Sequence, residues 1–119
     1  MKETQKTNEV SYEEWKKLDI RVAKVKQIEK HPNADKLYIL KVDVGENGEK
    51  NLQIVTGLVD YYKQDQLKGK NIVVITNLQP ATFRGVKSEA MLLATVDKDS
   101  NEIVILVPEK DIKVGAKVE

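Results

Sequence analysis

"LDIRVAKVKQI", residues 18–28, changes phase partway along its length. Leu18, Ile20 and Val22 alternate with Asp19 and Arg21, and the apolar face then slips to Val25 and Ile28. Apolar residues at a spacing of two define a half-buried strand, and a phase change within it marks a bulge or strong bend. Closing a small barrel from few strands requires such a strand, because one strand must serve both halves of the sheet.

The flanking sequence fits that reading. Upstream, "VSYEEWKKLD" (10–19) opens a short helix, with Ser11 as N-cap and Glu14 completing a capping box. Val10 and Trp15 have hydrophobic-staple spacing, and Tyr12, Trp15 and Leu18 share a face that needs an apolar partner. Residues 1–10 are expected to form a flexible tail and residues 11–119 one domain. Downstream, "HPNAD" (31–35) is a turn and "KLYILKVDVG" (36–45) a second strand. Asn47-Gly48 signals a hairpin turn into a third strand, "NLQIVTGL" (51–58). "VDYYKQDQLKGK" (59–70) reads as a helical turn ended by Gly69, and "NIVVITNL" (71–78) as a fourth strand. "AMLLATVD" (90–97) and "EIVILVP" (102–108) flank a second hairpin at "KDSN", and a weakly alternating tail follows. Short strands with a helical turn between the third and fourth favour an all-β OB-fold, a five-stranded barrel with a short N-terminal helix and a C-terminal extension.

Composition removes several kinds of chemistry. No cysteine is present, which excludes disulfides, thiolate catalysis and zinc-thiolate sites. The sole histidine, His31, precedes a proline in a turn and is expected to be solvated, with no base-and-nucleophile pair in view. No Asp/Glu set has calcium-loop spacing and the glycines form no phosphate loop, so neither an active site nor a cofactor is expected. No apolar run approaches a membrane span, and the polar first ten residues lack a signal peptide's centre, which makes a cytoplasmic location the expectation.

Binding is better supported. The net charge is only +1, yet residues 61–90 carry +3 through Lys63, Lys68, Lys70, Arg84 and Lys87 against Asp65 and Glu89. Within them, "NLQPATFRGVKSEAMLLATV" (77–96) gathers Asn77, Arg84, Lys87 and Ser88 before any carboxylate. Arg84 offers a planar fork of donors suited to phosphate or a guanine edge. Asn77 and Ser88 suit sugar or base edges, and Phe83, if exposed, suits stacking on a base. Gly85 either turns a corner or lets a ligand approach, and Met91 either begins a core strand or makes a contact.

"HPNADKLYILKVDVG", "LQIVTGL", "VVITNLQPATFRGVKSEAMLLA" and "VPEKDIKVGAKV" closely resemble the OB-fold tRNA-binding domains, over nearly the whole chain from Leu18 to Val118. That family includes the C-terminal domain or separate beta subunit of methionyl-tRNA synthetases and free-standing dimeric tRNA-binding proteins. The resemblance implies structure-specific grip on the tRNA elbow, homodimerisation through the terminal segments, and service to a methionyl-tRNA synthetase catalytic chain in trans. It implies tRNA-binding roles for Asn77, Arg84, Ser88 and Met91, with Lys87 adding a point charge. Two departures are Gln79, where most members carry a basic residue, and Ala90, where glycine is commonest. The alternative is a protein-binding, export-chaperone-like OB-fold dimer, since a related subgroup has that association; an enzyme ranks last.

Overall fold

The computed structural model describes residues 8–45 and 50–119, so Asn47-Gly48 and most of the expected tail lie outside the described residues. In chain order the elements are α1 (Tyr12–Lys16), β1 (Ile20–Lys30), β2 (Tyr38–Asp43), β3 (Asn51–Thr56), α2 (Gln64–Leu67) and β4 (Asn71–Ile75). They continue with β5 (Ala81–Phe83), β6 (Val86–Ser88), β7 (Met91–Leu92), β8 (Ala94–Asp97) and β9 (Glu102–Ile105). Five strands form one sheet in the order β3-β2-β1-β4-β7, while β5-β6 and β8-β9 are separate hairpins.

The bent strand does what its pattern requires. Ile20–Lys24 of β1 pair with β4, and Lys24–Lys30 pair with β2. The register slips between Val25 and Gln27, leaving Lys26 as the extra residue of a bulge. Leu18 falls outside the strand because its N–H closes the last turn of α1 on the Trp15 carbonyl at 3.1 Å. The capping box forms as expected, but Val10 stays 72% exposed and adds no staple. No residue of α1 is buried.

The barrel is nearly closed where β3 meets β6 and β7. The Glu89 N–H donates to the Gln53 carbonyl at 2.7 Å, and the Gln53 N–H donates to Glu89 Oε1 at 2.8 Å. Leu40, Val42, Ile54, Ile72 and Val74 fill the interior, and α2 contributes Leu67 as a plug. "AMLLATVD" is two strands rather than one. It changes partner at Leu93, whose N–H still bonds the Val73 carbonyl while its own carbonyl accepts from Leu106.

The C-terminal extension lies along the first half of β1, opposite β4. The Val22 N–H donates to Ala116 at 2.9 Å, the Gly115 N–H to Val22 at 2.7 Å, and the Val118 N–H to Ile20 at 2.8 Å. Asp19 secures this strap: Arg21 Nε lies 3.0 Å from both carboxylate oxygens, Thr76 Oγ1 donates to Oδ2, and Lys117 Nζ is 3.9 Å away. Burial alone would raise the Asp19 carboxyl, but the Thr76 and Arg21 hydrogen bonds and the charges of Arg21 and Lys117 outweigh it and hold it below the ordinary aspartate range. A depressed folded-state pKa gives stability that is complete above the unfolded-chain value and lost as pH falls through the folded one. Asp19→Asn is therefore expected to cost about 1–2 kcal/mol at neutral pH. In thermal melts that deficit should close below about pH 4; a deficit constant down to pH 2 would remove the carboxylate from the explanation.

Candidate nucleic-acid interface

The β5-β6 hairpin turns on two residues. Phe83 pairs with Val86 across the end of the ladder, leaving Arg84 and Gly85 as the loop. Their φ angles are +51° and +89°, the two positive values that a type I′ turn demands. Glycine accepts this freely, but arginine in the left-handed region costs about 1–2 kcal/mol. Strain of that kind persists where surrounding structure enforces it and is concentrated at functional positions. The guanidinium is exposed and makes no hydrogen bond or ion pair among the described residues, whereas Arg21 is fully engaged with Asp19 and the Gly115 carbonyl. The Lys87 side chain is exposed on the same hairpin.

The hairpin's base is fixed to the barrel by groups that the sequence had suggested for ligand contact. Ser88 is 6% exposed; its Oγ accepts from the Val55 N–H and donates to the Ala90 carbonyl, both at 3.0 Å. Gln53 Nε2 donates to the Lys87 carbonyl at 2.7 Å. Asn77 spends its amide at the α1–β1 junction, accepting from the Asp19 N–H at 2.9 Å and donating to the Lys17 carbonyl at 2.7 Å. Both side chains hold the frame; the single hydroxyl proton of buried Ser88 is used on Ala90, whereas exposed Asn77 keeps a second amide N–H. Ser88→Ala leaves the buried Val55 N–H unpaired and is expected to lower stability by about 1–3 kcal/mol in denaturant unfolding. A loss under half a unit would mean that water replaces the hydroxyl.

Beside the hairpin lies an apolar cleft of about 370 Å³, whose lining includes Leu37, Phe83, Met91, Val96 and Ile103. Phe83 is 39% and Met91 50% exposed, so both present surface to a ligand rather than filling the core. Periodicity does not single out Leu37, Val96 or Ile103, because a cleft assembled from the residue before β2 and from β3, β5, β7, β8 and β9 has no signature in any one of them. The expectation for His31 is overturned. It is buried, bonded to the Phe83 carbonyl through Nε2 at 2.9 Å and to the Asn33 N–H through Nδ1 at 3.0 Å. Among the described residues no group of three or more His, Cys, Asp or Glu is placed to hold a metal ion.

A nearly closed five-stranded barrel with a cationic hairpin beside an apolar cleft defines an OB-like binding protein. Residues 20–117 match the family model described as "Putative tRNA binding domain", and the chain belongs to that family. A methionine–tRNA ligase of Thermococcus kodakarensis is 44% identical over 98% of this chain, which spans only 15% of that relative's length. The crystal structure of a MetRS-related protein from Pyrococcus horikoshii superposes with a TM-score of 0.84 at 32% identity, covering 93% of this chain and 98% of that one. A CsaA chaperone protein from Picrophilus torridus does so with a TM-score of 0.82 at 26% identity, covering 93% and 100% respectively.

Proposed function

We propose that the chain is a non-catalytic module that grips folded tRNA at its elbow and serves a methionyl-tRNA synthetase catalytic chain in trans, in the cytoplasm. The observation that carries this reading is the guanidinium of Arg84, without a partner among the described residues and held at the tip of a strained turn in a chain of the tRNA-binding family. Arg84 and Lys87 meet phosphates, Phe83 and Met91 offer a surface to an unstacked base, and Asn77 and Ser88 hold the scaffold. Contacts to backbone rather than base edges make the grip one of shape.

About four to six phosphate contacts per chain release as many counterions and give a log–log salt slope of about −4 to −5. Such a grip is weak at physiological salt, and a second copy or an attached synthetase strengthens it through effective concentration. The Tyr12, Trp15 and Leu18 face, which flanks a cleft with Val118, is the surface on which a second copy packs in this reading. Light scattering at micromolar concentration is expected to report a dimer; a monomer removes that element. The decisive test is a salt titration of folded tRNA against single-stranded RNA of equal length. Tighter binding of tRNA supports the reading, and equal affinities overturn it.

A second reading, a holder of unfolded polypeptides, is favoured by the superposition of 93% of the chain on the CsaA chaperone protein and by the apolar cleft. A pulldown that recovers unfolded polypeptide with neither tRNA nor synthetase would select it.

A further inference from the structure

His31 is 4% exposed, and both of its ring nitrogens are used. The Asn33 backbone N–H has only a proton to offer, so Nδ1 must be the acceptor of that 3.0 Å bond. The imidazole proton therefore sits on Nε2, which donates to the Phe83 carbonyl at 2.9 Å. Phe83 is the last residue before the Arg84-Gly85 turn. The ring's own loop is closed by backbone bonds, His31 N–H to the Leu37 carbonyl at 3.0 Å and Leu37 N–H to the Ala34 carbonyl at 3.2 Å. A braced loop thus reaches across to the tip of the hairpin, while Ser88 and Gln53 anchor only its base.

We infer that His31 is a positioning residue for the RNA grip, fixing the hairpin tip so that Arg84 meets its phosphate. This rests on the tRNA-binding reading above. A two-residue turn on three-residue strands is too short to hold its own orientation. A positively charged fork misplaced by an ångström loses a directional bond to phosphate while keeping its diffuse attraction. The donor on Nε2 supplies the missing constraint at the tip, next to the residue that must be aimed.

The test measures binding of folded tRNA to the full chain carrying His31→Leu or His31→Gln, each with and without Arg84→Ala. Leucine keeps the bulk without the donor, whereas the glutamine amide can reach the same carbonyl. His31→Leu is expected to weaken binding about three- to tenfold near 0.1 M salt while leaving the salt slope nearly unchanged, because the charge of Arg84 stays beside the RNA, whereas Arg84→Ala removes that charge and flattens the slope. His31→Gln should recover most of that loss. In the Arg84→Ala background His31→Leu should add less than about twofold, because it acts through the missing arginine. Wild-type affinity in His31→Leu, an equal penalty in both backgrounds, or no recovery by glutamine would each overturn the inference. Should His31→Leu fail to fold, His31→Asn takes its place: it retains an acceptor for Asn33, cannot reach Phe83, and should bind more weakly than His31→Gln. If Arg84→Ala weakens binding and the His31 variants do not, this inference alone fails. If Arg84→Ala is silent and tRNA is not preferred over single-stranded RNA, the functional reading fails with it.

Discussion

Arg84→Asn is expected to weaken tRNA binding about five- to tenfold near 0.1 M salt and to flatten the salt slope by about one. It should do so with a melting temperature equal to or slightly above that of the unaltered chain. The two halves of this prediction have separate causes. Losing one phosphate contact removes one released counterion, and at a tenth of the standard concentration that counterion is worth nearly a factor of ten. The turn itself improves, because asparagine tolerates the left-handed region that Arg84 now occupies at φ +51°, and Asn-Gly is the favoured type I′ pair. The substitution therefore separates function from fold more cleanly than Arg84→Ala, which leaves an unfavourable residue at the same φ. Binding titrations at four salt concentrations with a thermal melt decide it. Weakened binding with a lowered melting temperature would mean that the guanidinium also supports the fold.

Gly115→Ala is expected to destabilise the chain by about 3 kcal/mol, the sum of backbone strain and overpacking, and to lower the melting temperature by roughly 10–15 °C. Gly115 has φ +94°, and a β-carbon there would stand 3.0 Å from Gly45 Cα and 3.1 Å from the Val44 carbonyl oxygen. Neither neighbour is a flexible side chain. Gly45 mirrors the arrangement, with φ +112° and a β-carbon position 2.9 Å from Gly115 Cα. This is where the C-terminal strap crosses the end of the second strand backbone to backbone. Gly69→Ala is the control: φ is +82°, but nothing lies within 4 Å of the added carbon. Its cost is strain alone, about 1 kcal/mol. Equal losses at Gly115 and Gly69 would show that the crossing yields, and would leave conformational strain as the whole effect.

The phase slip in "LDIRVAKVKQI", the Ser11–Glu14 capping box and the helical turn ending at Gly69 were legible because each depends on residues within one or two turns of chain. The bulge at Lys26, the bond from the Glu14 N–H to Ser11 Oγ at 3.1 Å and the φ of +82° at Gly69 are those same local rules in three dimensions. The break of "AMLLATVD" at Leu93 was not legible, because its residues are apolar on both sides of the point where the strand exchanges β4 for β9. Ser88 and Asn77 read as free donors, since nothing within ten residues reveals that Val55, Asp19 and Lys17 need them. His31 read as solvated for the same reason: its partner at Phe83 lies 52 positions away.

Alternation, capping and turn chemistry, all short-range effects of backbone geometry, were therefore enough to set the barrel, and local charge marked the basic stretch, whose folding into the β5-β6 hairpin they did not reveal. Which polar side chains are consumed inside the molecule and which are left facing outward was decided only by packing. A buried donor or acceptor must find a partner wherever the closed chain brings one, whatever its distance in sequence. Arg84 remains available because no acceptor among the described residues comes to it, while the hydroxyl of Ser88 and the ring of His31 are already bound.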